Sequence, residues 1–368
     1  MTDSMKYWVW LSSIENIGNR KKLRLLKMYG NPENLWKAPK SELIANKSIG
    51  FEIAAMLCDK DIRKMTEQHI EKMYQMGIGL VPLCDNRYPE YLKKIHDPPM
   101  ALYYRGKLQN DELAIAVVGS RNATGYGLNM AENISHKLAS RGFTVVSGMA
   151  RGIDSYAHKG TLRADGRTIA VLGCGLDTIY PSENYELSEK ILEKGLIISQ
   201  FPIGVPPLPI NFPMRNRIIS GLSLGVVVVE ANEKSGSLIT ANIALDQGKE
   251  VFAVPGNANS KTSIGTNRLI KDGAKLVMDI DDILEEIGLV CAANGKKIET
   301  DIYTGNVLKG LAGEERIIAE HLLNEELHID VLSERSGFSA QLVNSVLVMM
   351  ELKGIVEQLP GKIFRFIK

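Results

Sequence analysis

Short apolar runs alternate with amphipathic segments through the middle of this 368-residue chain. Near-continuous Val and Ile runs are typical of strands that are buried on both faces. Because strands that alternate with helices favour parallel pairing, the pattern over residues 113–290 predicts an α/β fold with a doubly wound, mostly parallel, Rossmann-like sheet. The apolar runs are Ala114–Val118, Thr144–Val146, Thr168–Leu172, Leu196–Ile198, Val226–Val229 and Val251–Val254.

The two ends of the chain have different patterns. Residues 1–80 contain short helical segments separated by glycines, which predicts a small helical domain. Within it, residues 14–23 resemble a helix-hairpin-helix, in which a glycine turn presents backbone N–H groups to a phosphate. A helical scaffold with a solvated Arg20-Lys21-Lys22 face explains the same residues. Residues 311–368 contain three helical stretches and a strand–turn–strand, a pattern that resembles a winged helix.

These patterns divide the chain into four parts. Residues 1–80 are expected to form the helical domain, of a helix-hairpin-helix or SAM-like type, and residues 81–290 an extended Rossmann-like domain. Residues 81–112 are rich in Pro and Tyr and are expected to form an ordered connecting arm, because proline favours extended backbone. Residues 291–310 lack apolar periodicity, which indicates a linker, and residues 311–368 form the winged helix.

Composition narrows the class of protein. Hydrophobic residues make up 45% and charged residues 24%, which is ordinary for a soluble globular chain. The sequence contains no apolar stretch near the roughly 20 residues that span a bilayer, and its first residues lack a signal-peptide layout. The four cysteines are scattered without metal-ligand spacing. We therefore expect a reduced, cytoplasmic protein with no membrane contact, no metal and no cofactor.

Charge is distributed unevenly although the net charge is only +1. Residues 1–80 contain 13 Lys and Arg against 9 Asp and Glu, a balance of +4, whereas residues 311–368 contain 6 against 9, a balance of −3. Binding to nucleic acid would therefore depend on focused patches. The predicted recognition helix, Ala340–Lys353, has no basic residue before Lys353. We expect it to have a protein-interaction or intramolecular role rather than to bind duplex DNA.

Short polar and glycine-rich patches follow the predicted strands. The carboxyl ends of parallel strands meet at one edge of a sheet, where ligands bind. Glycine turns, helix N-termini and arginines at one edge predict an anion-binding cradle. The patches are Gly119-Ser120-Arg121, Ser147-Gly148-Met149-Ala150-Arg151-Gly152, Gly173-Cys174-Gly175, Ser235-Gly236-Ser237 and Pro255-Gly256-Asn257.

Two patches carry candidate anion ligands. Ser120 and Arg121 follow the first strand of this domain, where a guanidinium can hold a phosphate in bidentate geometry, although a surface salt bridge is the plainer explanation of a single arginine. The G-x-G-x-x-G fingerprint of a dinucleotide site is absent. The Ser235-Gly236-Ser237 patch opens a helix that Ser237 is expected to cap, and its small residues leave N–H groups free for an anion. A plain capped helix is the alternative.

A third candidate segment places an aromatic ring beside two arginines at a helix start. Phe212 can stack a base while Arg215 and Arg217 hold its phosphate. The alternative puts Phe212 in the core and leaves the two arginines to cap loops.

Catalytic signals are weak. Asp154 and His158 have the spacing of an acid–base pair, but the same spacing describes a structural hydrogen bond at a helix start, which we favour. Glu230 ends a buried strand, as the catalytic Glu does in some nucleotide hydrolases, but their Pro-Gly-Gly-x-Gly-Thr patch is missing. We expect no catalytic residues and no enzymatic activity. A nucleoside-phosphate hydrolase and a nucleotide-binding sensor that use the same cradle are kept as alternatives.

In combination, the motifs between residues 85 and 278 closely resemble those of the DNA-processing protein A family, also called DprA or Smf. The resemblance implies a single-stranded DNA-binding protein of natural transformation and recombination, which shields single strands and loads the RecA recombinase. It also implies a homodimer formed through the Rossmann-like domain. The matching stretches include Val118-Gly119-Ser120-Arg121, Gly148-Met149-Ala150-Arg151-Gly152-Ile153-Asp154, Tyr180-Pro181, Phe212-Pro213-Met214-Arg215-Asn216-Arg217 and Ser235-Gly236-Ser237-Leu238-Ile239-Thr240.

The resemblance carries the DNA site over to Arg121 and to residues 212–217. Some members have a lysine where this chain has Ser182, so Lys159, Lys234 or Lys261 is expected to supply further positive charge. We expect Arg121 and Arg217 to hold phosphates, Phe212 to stack a base and the Ser235 turn to donate N–H groups. The expected DNA-binding residues are Ser120, Arg121, Phe212, Arg215, Arg217, Ser235, Gly236 and Ser237.

Overall fold

The computed structural model describes residues 4–14, 17–46, 49–293, 311, 313–322, 325–353 and 355–366. Most of the predicted linker, residues 294–310, and residues 15–16 of the helix-hairpin-helix-like segment lie outside these ranges. The chain divides into two compact units, Met1–Ile287 and Gly288–Lys368. Within the described ranges, no helix combines the length and the apolar character that crossing a membrane requires.

The first unit is built on a nine-stranded sheet with the order β1-β2-β6-β5-β4-β3-β7-β8-β9. In this spatial order, each neighbouring pair from β6 through β5, β4, β3, β7 and β8 to β9 is parallel. At one edge, β2 pairs antiparallel with both β1 and β6. All six predicted apolar runs form strands, so the mostly parallel α/β fold is confirmed. The strands are β1 Gly79–Pro82, β2 Ala101–Gly106, β3 Ala114–Val118, β4 Thr144–Ser147, β5 Thr168–Val171, β6 Leu196–Ser199, β7 Gly225–Val228, β8 Glu250–Ala253 and β9 Lys275–Leu276.

Helices and one 3₁₀ turn connect these strands. The six N-terminal helices are α1 Met5–Ser13, α2 Asn19–Tyr29, α3 Pro32–Lys37, α4 Lys40–Ala45, α5 Gly50–Leu57 and α6 Lys60–Gln75. Those within and after the sheet are α7 Glu90–Lys93, α8 Gly125–Ser140, α9 Ile153–Arg163, the 3₁₀ helix Ser182–Asn184, α10 Tyr185–Lys194, α11 Asn211–Leu222, α12 Gly236–Asp246, α13 Ile264–Lys271 and α14 Ile280–Ala293.

Successive residues of β5 enter different hydrophobic clusters, because side chains alternate between the two faces of a sheet. Ile169 and Val171 of β5 pack with Ile218 of α11. Ala170, between them, packs in a second cluster that contains Trp10 of α1. Every residue of β3 to β7 is buried, so both faces of these strands are covered, as their continuous apolar runs require.

The N-terminal helices share a core with the sheet. Val9 and Leu57 belong to the same buried cluster as Tyr103 of β2 and Ile197 of β6. Polar contacts add to this junction, because the Asn19 amide donates to Asp97 Oδ1 at 2.6 Å and accepts from the Met100 N–H at 3.0 Å. The side chain of Asn19, the first residue of α2, therefore holds the segment before β2 through hydrogen bonds within the protein.

Residues 81–112 differ from the expected extended arm. They contain α7 and the whole of β2, which pairs antiparallel with both β1 and β6. Leu102 and Tyr103 are both buried and enter different clusters, so β2 is an ordinary two-faced strand of the sheet. Pro98 and Pro99 lie in the irregular backbone just before β2, where the Tyr88 hydroxyl donates to Pro99 O at 2.8 Å.

The second unit is a winged helix, as predicted. A three-stranded antiparallel sheet with the order β10-β12-β11 accompanies three helices. Its core joins Ile318, Leu332, Leu347 and Phe364, all of them buried. The elements are α15 Glu314–Leu322, β10 Leu327–His328, α16 Ile329–Ser336, α17 Ala340–Leu352, β11 Val356–Leu359 and β12 Ile363–Phe366.

Candidate nucleic-acid interface

A cavity of about 690 Å³ lies at the carboxyl edge of the sheet, between the ends of β3 and β7. The strand order reverses here, because the chain proceeds from β3 through β4, β5 and β6 on one side and resumes at β7 on the other. Such a switch point is where open α/β sheets bind their ligands. We call this space the edge cavity. Seven of the eight predicted site residues line it: Ser120, Arg121, Phe212, Arg215, Ser235, Gly236 and Ser237.

Phe212 has a charged and an aromatic neighbour in the edge cavity. Arg121 Cζ lies 5.0 Å from the centre of the Phe212 ring, and Arg121 is exposed. The Tyr180 ring is 5.8 Å from the Phe212 ring, with an interplanar angle of 39°. Tyr180 is 41% exposed and was missed as a site residue, although the sequence places it in a stretch that matches the family. Together they present two aromatic rings and a guanidinium to solvent.

Close packing of the loops after β3 and β4 fixes the backbone beneath Arg121. The Ile153 N–H donates to Ser120 O at 3.2 Å, and Gly152 has a φ of +72°. A Cβ at Gly152 would lie 2.3 Å from Ser120 O. Only glycine fits this position, because a side chain would collide with backbone and the positive φ disfavours other residues.

Arg215 is a buried part of the cavity floor. Its side chain is 3% exposed, and Nη1 donates to Val171 O at the end of β5 at 2.6 Å. Burial lowers the pKa of Arg215 to about 10. Nε has no hydrogen-bond partner among the described atoms. Arg215 therefore anchors α11 to the sheet, a loop-capping role of the kind kept as the alternative.

Asp154 and His158 do not form an acid–base pair. Asp154 Oδ2 accepts from the N–H groups of Gly148 and Ala150 at 3.1 and 3.3 Å, and burial raises its pKa. His158 Nδ1 instead pairs with Thr168 Oγ1 at 2.7 Å. Because the Thr168 hydroxyl donates its hydrogen bond to Val145 O, it accepts one from the Nδ1–H group of His158. Burial lowers the pKa of His158 to about 3. Both residues are therefore structural, but they have separate partners instead of the hydrogen bond to each other that we favoured.

Arg217 lies outside the edge cavity, which corrects the expectation that it joins Arg121. Its Nη1 donates to Asp97 O, and its Nη2 donates to Gln200 Oε1. It lines a separate space of about 700 Å³ beside α2 and β2. Positions 215 and 217 are about 200° apart around a helix, so the two side chains leave α11 on nearly opposite sides.

Helix α12 is capped two residues earlier in the Ser235-Gly236-Ser237 turn than the sequence predicted. Ser235, not Ser237, is the N-cap, and its Oγ accepts from the Ser237 N–H at 3.4 Å. The hydroxyls of the two serines are 2.8 Å apart. Gly236 is exposed, and a Cβ there would meet no atom within 4 Å. This helix start remains open at the cavity wall.

Glu230 is a structural residue at the end of β7. Its carboxylate accepts from the Thr124 N–H at 2.8 Å and from the Thr124 hydroxyl at 2.6 Å. Thr124 caps α8, and its hydroxyl accepts from the Gly127 N–H at 3.2 Å. Glu230 is 2% exposed, so its two oxygens hold the start of α8 rather than face a substrate.

Basic and metal-binding residues are few at this site. Lys261 lines the edge cavity, whereas Lys234 and Lys159 are not among its lining residues. Lys159 instead lies 4.5 Å from the centre of the Tyr156 ring. Throughout the described part of the chain, His, Cys, Asp and Glu form no cluster of three or more that suits a metal ion.

Fold and site together define a Rossmann-like protein with a cavity at the carboxyl edge of its sheet that is lined by an arginine and two aromatic rings. Comparison with known families is more specific: a profile described as DNA recombination-mediator protein A matches residues 79–288, and one described as DprA winged helix domain matches residues 307–362. The chain belongs to the DNA recombination-mediator protein A (DprA, or Smf) family.

Individual relatives agree with this assignment. Protein Smf of Escherichia coli K12 is 41% identical over 301 residues, which cover 81% of this chain and 80% of that protein. DNA processing protein DprA of Bacillus subtilis is 43% identical over 215 residues, which cover 58% of this chain and 72% of that protein.

Two solved structures share the fold. The X-ray structure of DprA from Streptococcus pneumoniae has a TM-score of 0.63 and 34% identity, covering 76% of this chain and 97% of its own. A structure of DNA processing protein A from Helicobacter pylori, which concerns that protein's single-stranded DNA binding mode, has a TM-score of 0.52 and 30% identity. It covers 57% of this chain and 95% of its own.

Proposed function

We propose that this chain binds single-stranded DNA at the edge cavity, protects it and loads the RecA recombinase onto it. Arg121 holds a phosphate, Phe212 and Tyr180 stack bases, and the start of α12 donates N–H groups to the strand. The observation that carries the proposal is the exposed Arg121 guanidinium 5.0 Å from the Phe212 ring at the sheet's switch point. A ring and a cation side by side suit a nucleotide, which has a flat base and an anionic phosphate.

The class of partner follows from the family. The matching profile is described as a recombination mediator, and the Helicobacter pylori relative binds single-stranded DNA. The description as a recombination mediator supports a recombinase as the protein partner, for which we propose RecA. A homodimer formed through the sheet-containing unit and a role in natural transformation are parts of the same proposal. Location in the cytoplasm belongs to the same proposal, because RecA loading takes place on strands inside the cell.

A binding role without catalysis fits the contacts around the edge cavity better than a nucleoside-phosphate hydrolase does. Such an enzyme needs a carboxylate that is free to activate water. Both oxygens of Glu230 are occupied by Thr124, and Asp154 accepts two backbone hydrogen bonds. We therefore propose that the cavity holds nucleotides without hydrolysing them.

Fluorescence anisotropy with a labelled single-stranded oligonucleotide and a duplex of equal length tests the proposal. Over a salt series, the single strand is expected to bind more tightly, with a log–log slope of about −0.7 per phosphate neutralised. Mixed sequences are expected to bind within a few-fold of one another, because stacking tolerates every base. Equal affinity for duplex and single strand would contradict the proposal.

A further inference from the structure

Helix α11 and the loop before it separate two cavities of nearly equal volume. Phe212 and Arg215 face the edge cavity of about 690 Å³. Met214 and Arg217, on the same helix, face the other cavity of about 700 Å³.

We call this second cavity the side cavity. It lies between the start of α2, residues 97–101 and the loop of residues 200–208. Pro206 and Leu208 line the side cavity while Pro207 and Pro209 line the edge cavity, so the wall is one chain thick.

The side cavity combines positive charge with apolar surface. Arg217 and Lys22 line it together with one acidic residue, Asp97, which leaves an excess of one positive charge. Arg217 and Asp97 Oδ2 are 3.8 Å apart, and Lys22 Nζ donates to Ser12 O at 2.9 Å. Apolar side chains, among them Met100 and Phe201, form much of the remaining lining. This chemistry suits a ligand with an anionic group and a flat, apolar face.

The wall between the cavities has an apolar rim. Leu208, Ile210 and Met214 are 48%, 69% and 46% exposed, and they follow one another along the loop and the first turn of α11. Exposed apolar residues that lie together mark contact surfaces. Leu208 and Met214 of this rim also line the side cavity, together with Arg217.

We propose that the side cavity is a second nucleotide-binding subsite, which takes the next nucleotides of the strand that occupies the edge cavity. The inference rests on the proposed function. Bases pack against Leu208 and Met214, and the backbone phosphate lies in the positive field of Arg217 and Lys22. The same chemistry would accept a free mononucleotide, and the experiment separates these two sources.

The test compares single strands of different length on the full chain. Unlabelled oligothymidylates of about 4 to about 20 nucleotides compete with a labelled strand for wild type, Met214→Glu and Leu208→Glu. Met65→Glu on α6 is the matched control, because Met65 is 49% exposed and lines neither cavity. The expected result is that both rim variants bind the shortest strands like wild type and lose about tenfold in affinity for the longest. The Met65 variant is expected to match wild type throughout.

Three other results have distinct meanings. If both rim variants bind every length like wild type, the subsite is wrong and the rim belongs to a protein partner. If they lose affinity equally at all lengths, Met214 and Leu208 act on the edge cavity and the inference is again wrong. Thymidine monophosphate is also added to protein that is already saturated with a short strand. If it binds there, and Met214→Glu removes that binding, the side cavity is a nucleotide-binding subsite whose ligand is a free mononucleotide.

Failure of the proposed function is distinguishable from failure of this inference. Arg121→Ala is measured in the same series, and it is expected to weaken strands of every length. Absence of any strand binding by wild type would overturn the proposed function itself. A normal Arg121 effect combined with length-independent behaviour of the rim variants would overturn the subsite alone.

Discussion

Arg121 and Arg215 show how burial decides what a cation can do. Arg121 is exposed beside the Phe212 ring, so its guanidinium can pair with a phosphate from solvent. Arg215 is 3% exposed, and its Nη1 already donates to Val171 O. Both lie around the same ring, with Arg215 Cζ 5.9 Å from its centre. Arg215 is held inside the protein, and Arg121 is the residue that we expect to contact DNA.

His158 gives a prediction for the dependence of stability on pH. Its pKa in the folded protein is about 3, against 6.5 for the ordinary group, because burial disfavours the charged ring. Below about pH 6.5 the unfolded chain binds a proton that the folded protein does not, so the stability that His158 contributes at neutral pH is lost. The loss is about 1.4 kcal/mol per pH unit as the pH falls towards 3.

Urea denaturation of wild type and His158→Gln between about pH 7.5 and about pH 5 checks this sign. The variant should lose about 2 kcal/mol less stability over this range than wild type, because glutamine does not titrate. Parallel pH profiles for wild type and His158→Gln would show that His158 takes up a proton as readily in the folded protein as in the unfolded chain, which would contradict the buried neutral ring.

At the scale of elements, the site depends on where strands end and on which side of a helix a residue leaves. The apolar runs predicted the ends of β3 and β7 to within one residue, and therefore the switch point between them. The sequence also brought Arg121 and Phe212 to one edge. It did not separate Arg215 from Arg217, since that requires knowing that α11 begins at Asn211 and which side faces the sheet. The sequence placed Tyr180 in a stretch that matches the family but did not assign it to the site, because its ring lies beside Phe212 only through tertiary packing.

Two glycines at the carboxyl edge are expected to respond differently to alanine. A Cβ at Gly148 would lie 1.9 Å from Arg215 Nη1 and 2.6 Å from Asp154 Oδ2, whereas one at Gly236 would meet no atom within 4 Å. Gly148→Ala forces the buried guanidinium away from Val171 O, and we expect a loss of about 2 kcal/mol in the free energy of unfolding. Gly236→Ala should change it by less than about 0.5 kcal/mol. Thermal and urea unfolding of both variants measure this difference, and similar stabilities would contradict the packing around Arg215.

At the scale of the whole molecule, the two units carry separate cores. The N-terminal helices are part of the first unit, because the cluster that contains Trp10 also contains Tyr103 and Ile197 of the sheet. The change of sequence pattern near residue 80 is therefore a change of element type within one core.

The winged helix has its own cluster around Leu332 and Leu347. Its α17 exposes Leu342, Val348 and Met349, in agreement with the absence of basic residues along it in the sequence. A contact with protein suits this apolar helix better than phosphate does.

Truncation tests the independence of the first unit. A chain of residues 1–293 retains the sheet, the N-terminal helices and all of α14. We expect it to unfold cooperatively and to bind single-stranded DNA within about threefold of the full chain, because the edge cavity lies entirely within residues 118–262. Anisotropy with the same labelled strand measures the affinity. A tenfold or greater loss in a folded truncated chain, about 1.4 kcal/mol, would mean that the winged helix contributes to the DNA site.

The most direct measurement of the central claim is the salt dependence of single-stranded DNA binding by Arg121→Ala. Arg163→Ala is the matched control, because Arg163 is an exposed arginine at the far end of α9 that pairs with Glu132 at 2.8 Å. If Arg121 holds a phosphate at the edge cavity, its loss should weaken binding about tenfold and reduce the log–log salt slope by about 0.7, while Arg163→Ala matches wild type. An Arg121→Ala protein with wild-type affinity and slope would contradict the assignment of the DNA site to this edge of the sheet.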